Sequence, residues 1–287
     1  MHRDREVFLD DRRFHYTEWG DPMADSVLLL HGFTGHARSW DDEARALAHT
    51  WHVVALDQRG HGDSAPAPDG DYTTPALAGD LAAFVDALGL EPARIVALSI
   101  GGRVAMAYAG LHPDGVDRLV VVDIGPEIAE AGRARVGAIV AQTPERFATL
   151  DEALALARAN SPRYSETMLR HRVTHALRPL PDGGFTWKYD KALRDQVREG
   201  RWRDTVDLWP LWRALTCPVL IIRGADSDVL SPEIAKRMLQ EQPLARLVEV
   251  PDAGHTVPGD QPEAFMRILG DFLEGGPEMA PHTPPRS

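Results

Sequence analysis

The sequence predicts an α/β protein with a mostly parallel sheet, helices on both faces of the sheet and an inserted helical segment. Short, continuously apolar runs alternate with stretches of helical composition, which is typical of parallel strands buried on both faces. Polar residues directly follow several of these runs. Because ligands bind beyond the carboxyl ends of the strands in open parallel sheets, this pattern also indicates a site at that edge.

The predicted elements follow from apolar runs and helix-start signals. Residues 5–19 alternate loosely and predict an antiparallel hairpin with its turn at Asp10 and Asp11. Ser39 is a predicted N-cap with Glu43 as its capping acid, and Thr74 caps a helix that Pro75 opens. The predicted buried strands are 26–30, 52–56, 94–98, 118–122, 219–222 and 246–250, and the predicted helices include 39–49, 74–88, 103–108, 232–240 and 261–273.

One long stretch interrupts the alternation. Residues 126–213 contain no convincing strand, and their runs rich in Ala, Arg and Glu predict helices. Four of the seven Trp residues lie there, at 187, 202, 209 and 212. We therefore expect a helical lid over 126–213, inserted into a core formed by 1–125 and 214–274. Residues 275–287 are rich in Pro and predict a disordered tail.

Composition excludes several classes of function. The net charge of −12 over 287 residues argues against binding nucleic acid or anionic membranes, which requires clustered Lys and Arg. Cys217 is the single cysteine, so no internal disulfide and no multi-cysteine metal site is expected. No apolar run resembles a signal-peptide core or approaches the ~20 residues of a membrane span. The expected location is the cytoplasm.

The stretch 94–102 carries the first chemical signal. A β-branched apolar run ends in Ala97-Leu98-Ser99-Ile100-Gly101, and a helical stretch follows. A sharp strand-to-helix turn exposes a serine hydroxyl and points unpaired helix N–H groups at it, as nucleophilic catalysis requires. The usual pattern is Gly-x-Ser-x-Gly, and Ala97 replaces its first Gly. Taken alone, the motif also fits a surface serine after a buried strand.

Further motifs follow the other strands. His31-Gly-Phe33-Thr-Gly, Asp57-Gln-Arg-Gly-His-Gly-Asp-Ser, Gly224-Ala-Asp-Ser-Asp228 and Ala253-Gly-His255 all lie at strand ends. Ser99, Asp228 and His255 thus occur along the chain in one of the orders known for a catalytic nucleophile, acid and base. Over roughly residues 5–274 the chain resembles the α/β-hydrolase family, and this resemblance implies the α/β-hydrolase fold.

The resemblance implies the roles of the site residues. Ser99 would attack a carbonyl, His255 would take and return its proton, and the backbone N–H groups of Phe33 and Ile100 would bind the oxyanion. Asp228 stands four residues before Pro232, the offset that the resemblance suggests for the acid that orients His255. Asp226 and Asp123 remain alternatives for that acid, the latter because some relatives place it after an earlier strand.

Other candidate residues favour structural interpretations. His31, Asp57, Arg59 and His61 are expected to support the site through a buried polar turn. His171 and His175 have a spacing that could hold zinc, but no third ligand is near them in sequence, and a solvated helix face is favoured. We expect neither a metal nor a cofactor.

The leading functional hypothesis is hydrolysis of a small, partly hydrophobic carboxylic ester or lactone. A carbon–carbon bond hydrolase of ring-cleavage products is an alternative within the same family, with Arg163, Arg170 or Arg178 as donors in the lid. A non-catalytic ligand-binding relative is a second alternative, although the nucleophile, base and acid candidates are all present. Dehalogenases and epoxide hydrolases are disfavoured, because they need Asp where this chain has Ser99.

Overall fold

A computed structural model describes residues 2–200 and 206–275. Its strands are β1 (Arg3–Leu9), β2 (Arg12–Trp19), β3 (Ser26–Leu30), β4 (His52–Leu56), β5 (Ala93–Leu98), β6 (Val116–Val122), β7 (Arg146–Phe147), β8 (Leu177–Pro179), β9 (Phe185–Trp187), β10 (Val219–Gly224) and β11 (Ala245–Val250). Over the described residues, eight of them form one sheet in the order β1-β2-β4-β3-β5-β6-β10-β11. The first two strands pair antiparallel, β2 also runs antiparallel to β4, and the remaining pairs are parallel. The predicted fold class and N-terminal hairpin are confirmed.

Helices cover both faces of this sheet. They are α1 (Asp41–Leu47), α2 (Thr74–Leu88), α3 (Ile100–Leu111), α4 (Glu130–Gln142), α5 (Leu150–Asn160), α6 (Glu166–Ala176), α7 (Lys191–Arg198), α8 (Trp209–Arg213), α9 (Pro232–Glu241), α10 (Val257–Asp260) and α11 (Pro262–Leu273). Side chains of α2, α3 and α9 pack in one hydrophobic core, and those of α1 and α11 pack in a second. The alternating sequence pattern thus produces a sheet buried between two layers of helices.

The register of the parallel strands brings their carboxyl ends to one edge. Ala97 pairs with Leu30 on one side and with Val121 on the other, and Val122 pairs with Ile222. The loops that follow β3, β5, β6 and β10 therefore begin side by side. This alignment is what brings residues distant in sequence into one site.

The segment between β6 and β10 differs in part from the sequence prediction. It contains α4 to α8, but also a small antiparallel sheet in the order β7-β9-β8, which the sequence did not predict. Strands of two or three residues are too short to show an alternating pattern, which explains the error. Phe147, Leu154 and Val173 form part of a separate hydrophobic cluster here. Trp202 and the predicted tail beyond Gly275 lie outside the described residues.

Two local predictions need correction. Thr73, not Thr74, precedes α2 as its N-cap residue, and its side chain makes no capping hydrogen bond. Ser39 lies in a 3-10 turn over Ala37–Trp40, and its hydroxyl accepts from the N–H of His36 rather than capping α1. Within the described ranges, no helix combines the length and apolarity that crossing a membrane requires.

Candidate active site

Ser99 occupies a strained corner between β5 and α3. Its φ of 55° and ψ of −123° lie outside the regions that L-residues favour, and such strain is typical of functional positions. A Cβ on Gly101 would come within 2.7 Å of the His31 carbonyl oxygen, so only glycine permits this approach of α3 to β3. Ala97 is fully buried beside its sheet partners, which shows that a methyl group fits where the usual motif has Gly.

Ser99 and His255 are in contact across this corner. Nε2 of His255 lies 2.9 Å from Oγ of Ser99, although the two residues are 156 positions apart in sequence. His255 follows β11 in the loop before α10, as the sequence predicted. A hydroxyl and an imidazole nitrogen at this distance have the geometry that general-base activation of a serine requires.

The carboxylate on the other side of His255 belongs to Asp123. Its Oδ2 lies 2.8 Å from Nδ1 of His255, and its Oδ1 accepts from the N–H of Gly224 at 3.1 Å. The Ser227 hydroxyl also donates to Oδ2. Asp123 follows β6 with a φ of 52°, and its side chain is fully buried. These donors satisfy the buried carboxylate, as its burial requires.

The prediction that Asp228 is the acid next to His255 is therefore wrong. Asp228 instead accepts two hydrogen bonds from Arg135 of α4, from Nε at 2.7 Å and from Nη2 at 2.8 Å. Hydrogen bonding to Arg135 lowers the pKa of Asp228, although partial burial opposes the change. The alternative Asp226 does not contact His255 either, because its carboxylate pairs with Nη2 of Arg163 at 2.7 Å.

The residues predicted to donate to an oxyanion, Phe33 and Ile100, lie near Ser99. Phe33 and Ile100 line the same cavity as Ser99. Ile100 is the first residue of α3, so its N–H has no acceptor within the helix. A Cβ on Gly32 would lie 3.2 Å from Cβ of Ser99, so the loop that carries Phe33 runs close to Ser99.

His31 and His61 hold this loop from behind. Nε2 of His61 lies 2.7 Å from the Phe33 carbonyl oxygen, and Nε2 of His31 accepts from the N–H of Gln58 at 3.1 Å. Burial lowers the pKa of His31 to about 3, so this ring is neutral near pH 7. Both contacts fit the expected supporting role and not proton transfer.

Asp57 fixes the neighbouring turn. It accepts from the N–H of Ala37 at 2.6 Å and of Asp63 at 2.9 Å, and its Oδ2 lies 2.7 Å from Nδ1 of His15. Burial opposes ionisation, but these hydrogen bonds lower its pKa to about 2. A Cβ on Gly62, which has a φ of +52°, would overlap this carboxylate, so the tight turn requires glycine.

The structure gives no support to a zinc site at His171 and His175. Nε2 of His171 lies 3.1 Å from Asp41, and Nδ1 of His175 lies 2.9 Å from the His171 carbonyl oxygen. In the described part of the chain, one group has the mutual distances of metal ligands, namely His15, Asp57 and Asp63. Its members already have partners, since Nζ of Lys188 lies 2.6 Å from Asp63. These contacts account for the group without an ion.

A family model described as the alpha/beta hydrolase fold matches residues 25–262. The chain belongs to the α/β-hydrolase family. It is 33% identical over 275 residues to the 3-hydroxybutyrate-oligomer hydrolase of Cupriavidus necator, covering 92% of this chain and 93% of that protein. It is 30% identical over 262 residues to esterase Rv0045c of Mycobacterium tuberculosis, covering 89% and 85% of the two chains. The crystal structure of E-2-(acetamidomethylene)succinate hydrolase superposes with a TM-score of 0.87 at 27% identity, covering 96% and 100%.

Two cavities of this α/β hydrolase meet at Ser99 and His255. One, of about 560 Å³, has mostly apolar walls that include Ile124, Val140 and Trp209. The other, of about 530 Å³, combines apolar walls with polar and charged side chains and is called the polar cavity below; its charged side chains and two of its polar ones are Arg135, Arg163, Arg172, Asp226, Asp228, Asp260, Asn160 and Ser161. Ser99 of this family member therefore faces one mostly apolar cavity and one whose wall also carries charged side chains.

Sequence reasoning found only some of these cavity residues. Of the three arginines considered as donors, Arg163 lines the polar cavity, whereas Arg170 and Arg178 are exposed and are not among its lining residues. Arg135 and Arg172 also line it but were not predicted. One face of α6 carries Leu169, Arg172 and Val173, which are three and four residues apart. This spacing predicts a shared face, but the sequence does not show that the face borders the cavity.

Proposed function

We propose that this α/β hydrolase is a serine hydrolase that cleaves carboxylic esters or lactones of small, partly hydrophobic substrates through an acyl-enzyme intermediate. The observation that carries the proposal is the unbroken contact chain from Ser99 through His255 to the buried Asp123, at the junction of two cavities. Ser99 attacks the carbonyl, and His255 accepts its proton through Nε2. Asp123 holds the imidazole by Nδ1 and stabilises the imidazolium that forms.

The second half of the reaction reverses these proton transfers. His255 protonates the leaving alcohol and then activates a water molecule that hydrolyses the acyl-enzyme. The N–H groups of Phe33 and Ile100 bind the negatively charged oxygen in both steps. Losing one such donor typically costs about 2.7–4 kcal/mol of transition-state stabilisation. Because these donors belong to the backbone, the loop around Phe33 and the start of α3 set their positions.

The segment over 126–213 is proposed to act as the lid of this site. Val136 and Val140 of α4 line both cavities, and Leu169 and Val173 of α6 line the polar one. Apolar walls with a few polar groups favour a small organic substrate bound largely by shape. The names of the relatives fit this class, since they include an esterase and a 3-hydroxybutyrate-oligomer hydrolase.

Carbon–carbon bond hydrolysis remains the alternative activity. Of the arginines considered for it, only Arg163 borders the cavity, and Asp226 already pairs with its guanidinium. This pairing argues against Arg163 as the donor for that reaction, because a neutralised guanidinium stabilises an enolate less.

The proposal is tested with a panel of p-nitrophenyl and lactone substrates. Wild-type protein should hydrolyse at least one ester with a rapid first turnover, as an acyl-enzyme intermediate predicts. Ser99→Ala and His255→Ala should each remove this activity while unfolding at the same temperature as the wild type. Equal activity of wild type and Ser99→Ala, or inactivity of the wild type on every ester and lactone, would contradict it.

A further inference from the structure

The polar cavity contains three guanidinium groups in different electrostatic situations. Arg135 donates two hydrogen bonds to Asp228, and Arg163 donates one to Asp226. Oδ2 of Asp260 also lies 3.7 Å from Nη1 of Arg163. Two of the three charges are thus paired within the wall. Arg172 differs, because no carboxylate of the described residues lies within 4 Å of its guanidinium.

Arg172 is nevertheless held in place. Its Nη1 donates to the Ser39 carbonyl oxygen at 3.3 Å, and its guanidinium lies 5.4 Å from the centre of the Tyr164 ring. The carbonyl oxygen of Arg172 lies 3.1 Å from Nε2 of His36, which ties this turn of α6 to the core. Among the described residues, the Ser39 carbonyl is the acceptor hydrogen-bonded to this guanidinium. The remaining N–H groups of the guanidinium make no hydrogen bond to the described residues, and Arg172 lines the cavity.

The buried acid Glu43 does not form an ion pair with Arg172. Glu43 of α1 interacts electrostatically with Arg172, but it is not within ion-pair distance in the described chain. Burial raises the pKa of Glu43 to about 7, so much of this carboxyl is neutral at neutral pH. Arg172 is consequently an oriented cation of the wall that has no ion-pair partner among the described residues.

We infer that Arg172 anchors a carboxylate of the substrate, so that the preferred esters are monoanions with a free carboxylate on one side of the scissile bond. This inference rests on the proposed ester hydrolysis and names its substrate class. A guanidinium presents parallel N–H donors that match a carboxylate, and such charge-assisted pairs are stronger than neutral hydrogen bonds. The ester then lies with its carbonyl at Ser99 and its carboxylate in the polar cavity.

The carboxylate can belong to the acyl part or to the alcohol part, and two substrate pairs distinguish these cases. The first pair is monomethyl glutarate and its methyl-ketone analogue, in which an acetyl group replaces the free carboxylate. The second is the butyrate ester of γ-hydroxybutyrate and the corresponding methyl ketone. Within each pair the two esters differ in charge but hardly in size, so the ratio of their kcat/KM values reports carboxylate recognition.

The variants are Arg172→Gln, Arg172→Lys and the control Arg170→Gln. Arg170 is exposed on the same helix and contacts Glu166 at 3.9 Å, so its removal tests the general effect of losing a charge on α6. Arg172→Gln should lower the anionic-to-neutral ratio about ten- to hundredfold for one pair, as expected for a lost charge-assisted hydrogen bond. Arg172→Lys should give a ratio between those of the wild type and Arg172→Gln, and Arg170→Gln should leave the ratio unchanged. Hydrolysis of the neutral ester shows that each variant is folded.

Failure of this inference can be separated from failure of the proposed function. If wild-type protein hydrolyses the neutral esters and Arg172→Gln has the wild-type ratio for both pairs, carboxylate anchoring is wrong and ester hydrolysis stands. If no ester is hydrolysed, calorimetric titration of the Ser99→Ala protein with both glutarate probes tests anchoring by itself. Binding of monomethyl glutarate that exceeds that of the ketone and requires Arg172 supports anchoring, and equal binding of the two overturns it.

Discussion

The substitution Asp123→Asn separates the two possible acids most sharply. Three donors converge on the Asp123 carboxylate, and the Gly224 N–H that reaches Oδ1 belongs to the backbone and cannot change its role. The amide oxygen of Asn must therefore remain on that side. The amide NH₂ then faces Nδ1 of His255 and the Ser227 hydroxyl, both of which can act as acceptors. Nδ1 loses its proton, and Nε2 becomes protonated and cannot accept the proton of Ser99.

The size of the effect follows from this tautomer change. In serine proteases the corresponding substitution lowers kcat by about 10⁴-fold with the geometry intact, which equals about 5.5 kcal/mol in the activation barrier. Asp228→Asn removes a partly exposed pair with Arg135 and should change kcat less than about tenfold. The expected ratio between the two variants is thus about three orders of magnitude.

The assay is steady-state hydrolysis of the best p-nitrophenyl ester, with thermal unfolding as a check that each variant is folded. Asp226→Asn serves as a third variant, since its carboxylate pairs with Arg163 and not with His255. A larger loss in Asp228→Asn than in Asp123→Asn, or equal losses in both folded variants, would refute the assignment of Asp123.

Three further predictions concern stability. Burial raises the pKa of Glu43 from 4.5 to about 7, so ionisation of Glu43 destabilises the fold increasingly from about pH 5 to pH 7. Glu43→Gln should raise the free energy of unfolding in urea by up to about 3 kcal/mol at pH 8 and by little at pH 4. An equal gain at both pH values would contradict this cause. Burial opposes protonation of His15, but hydrogen bonding to Asp57 raises the pKa of His15. The pair therefore stabilises the fold most between about pH 4 and pH 6.5. This contribution is lost as the pH rises through the raised pKa of His15, or as it falls from about 4 to 2 and Asp57 becomes protonated. His15→Gln should lower the melting temperature more at pH 5.5 than at pH 9, and a reversed order would refute the linkage. Gly101→Ala should lower the free energy of unfolding in urea by about 1–3 kcal/mol, because the added Cβ would meet the His31 carbonyl oxygen at 2.7 Å. A variant as stable as the wild type would show that this contact relaxes freely.

The fold and most of the site could be predicted from the sequence because both depend on local patterns. Continuous apolar runs predicted the buried strands, and polar residues after them predicted which loops share an edge. Ser99 and His255 were predicted in this way from their places at strand ends, and the structure brings their side chains into contact. The elbow glycines added a local steric requirement that the structure explains at Gly101.

The acid and the polar cavity could not be predicted, because both depend on how the segment between β6 and β10 packs. Asp123 and Asp228 follow neighbouring strands, and the offset from Pro232 that the family resemblance suggests favoured Asp228. Which one meets His255 depends on the left-handed backbone of Asp123 and on Arg135, which reaches Asp228 from α4. Likewise, Arg172 becomes distinctive only when Arg135 and Arg163 are seen paired with acids in the same wall.

The most direct test of the catalytic assignment is covalent labelling with a diethyl phosphate ester that carries a p-nitrophenyl leaving group. The account predicts that one diethylphosphoryl group is added per chain, that peptide mapping locates it on Ser99, and that Ser99→Ala takes up none. A label on any other residue, or equal labelling of the Ser99→Ala protein, would contradict the claim that the Ser99 hydroxyl is the activated nucleophile.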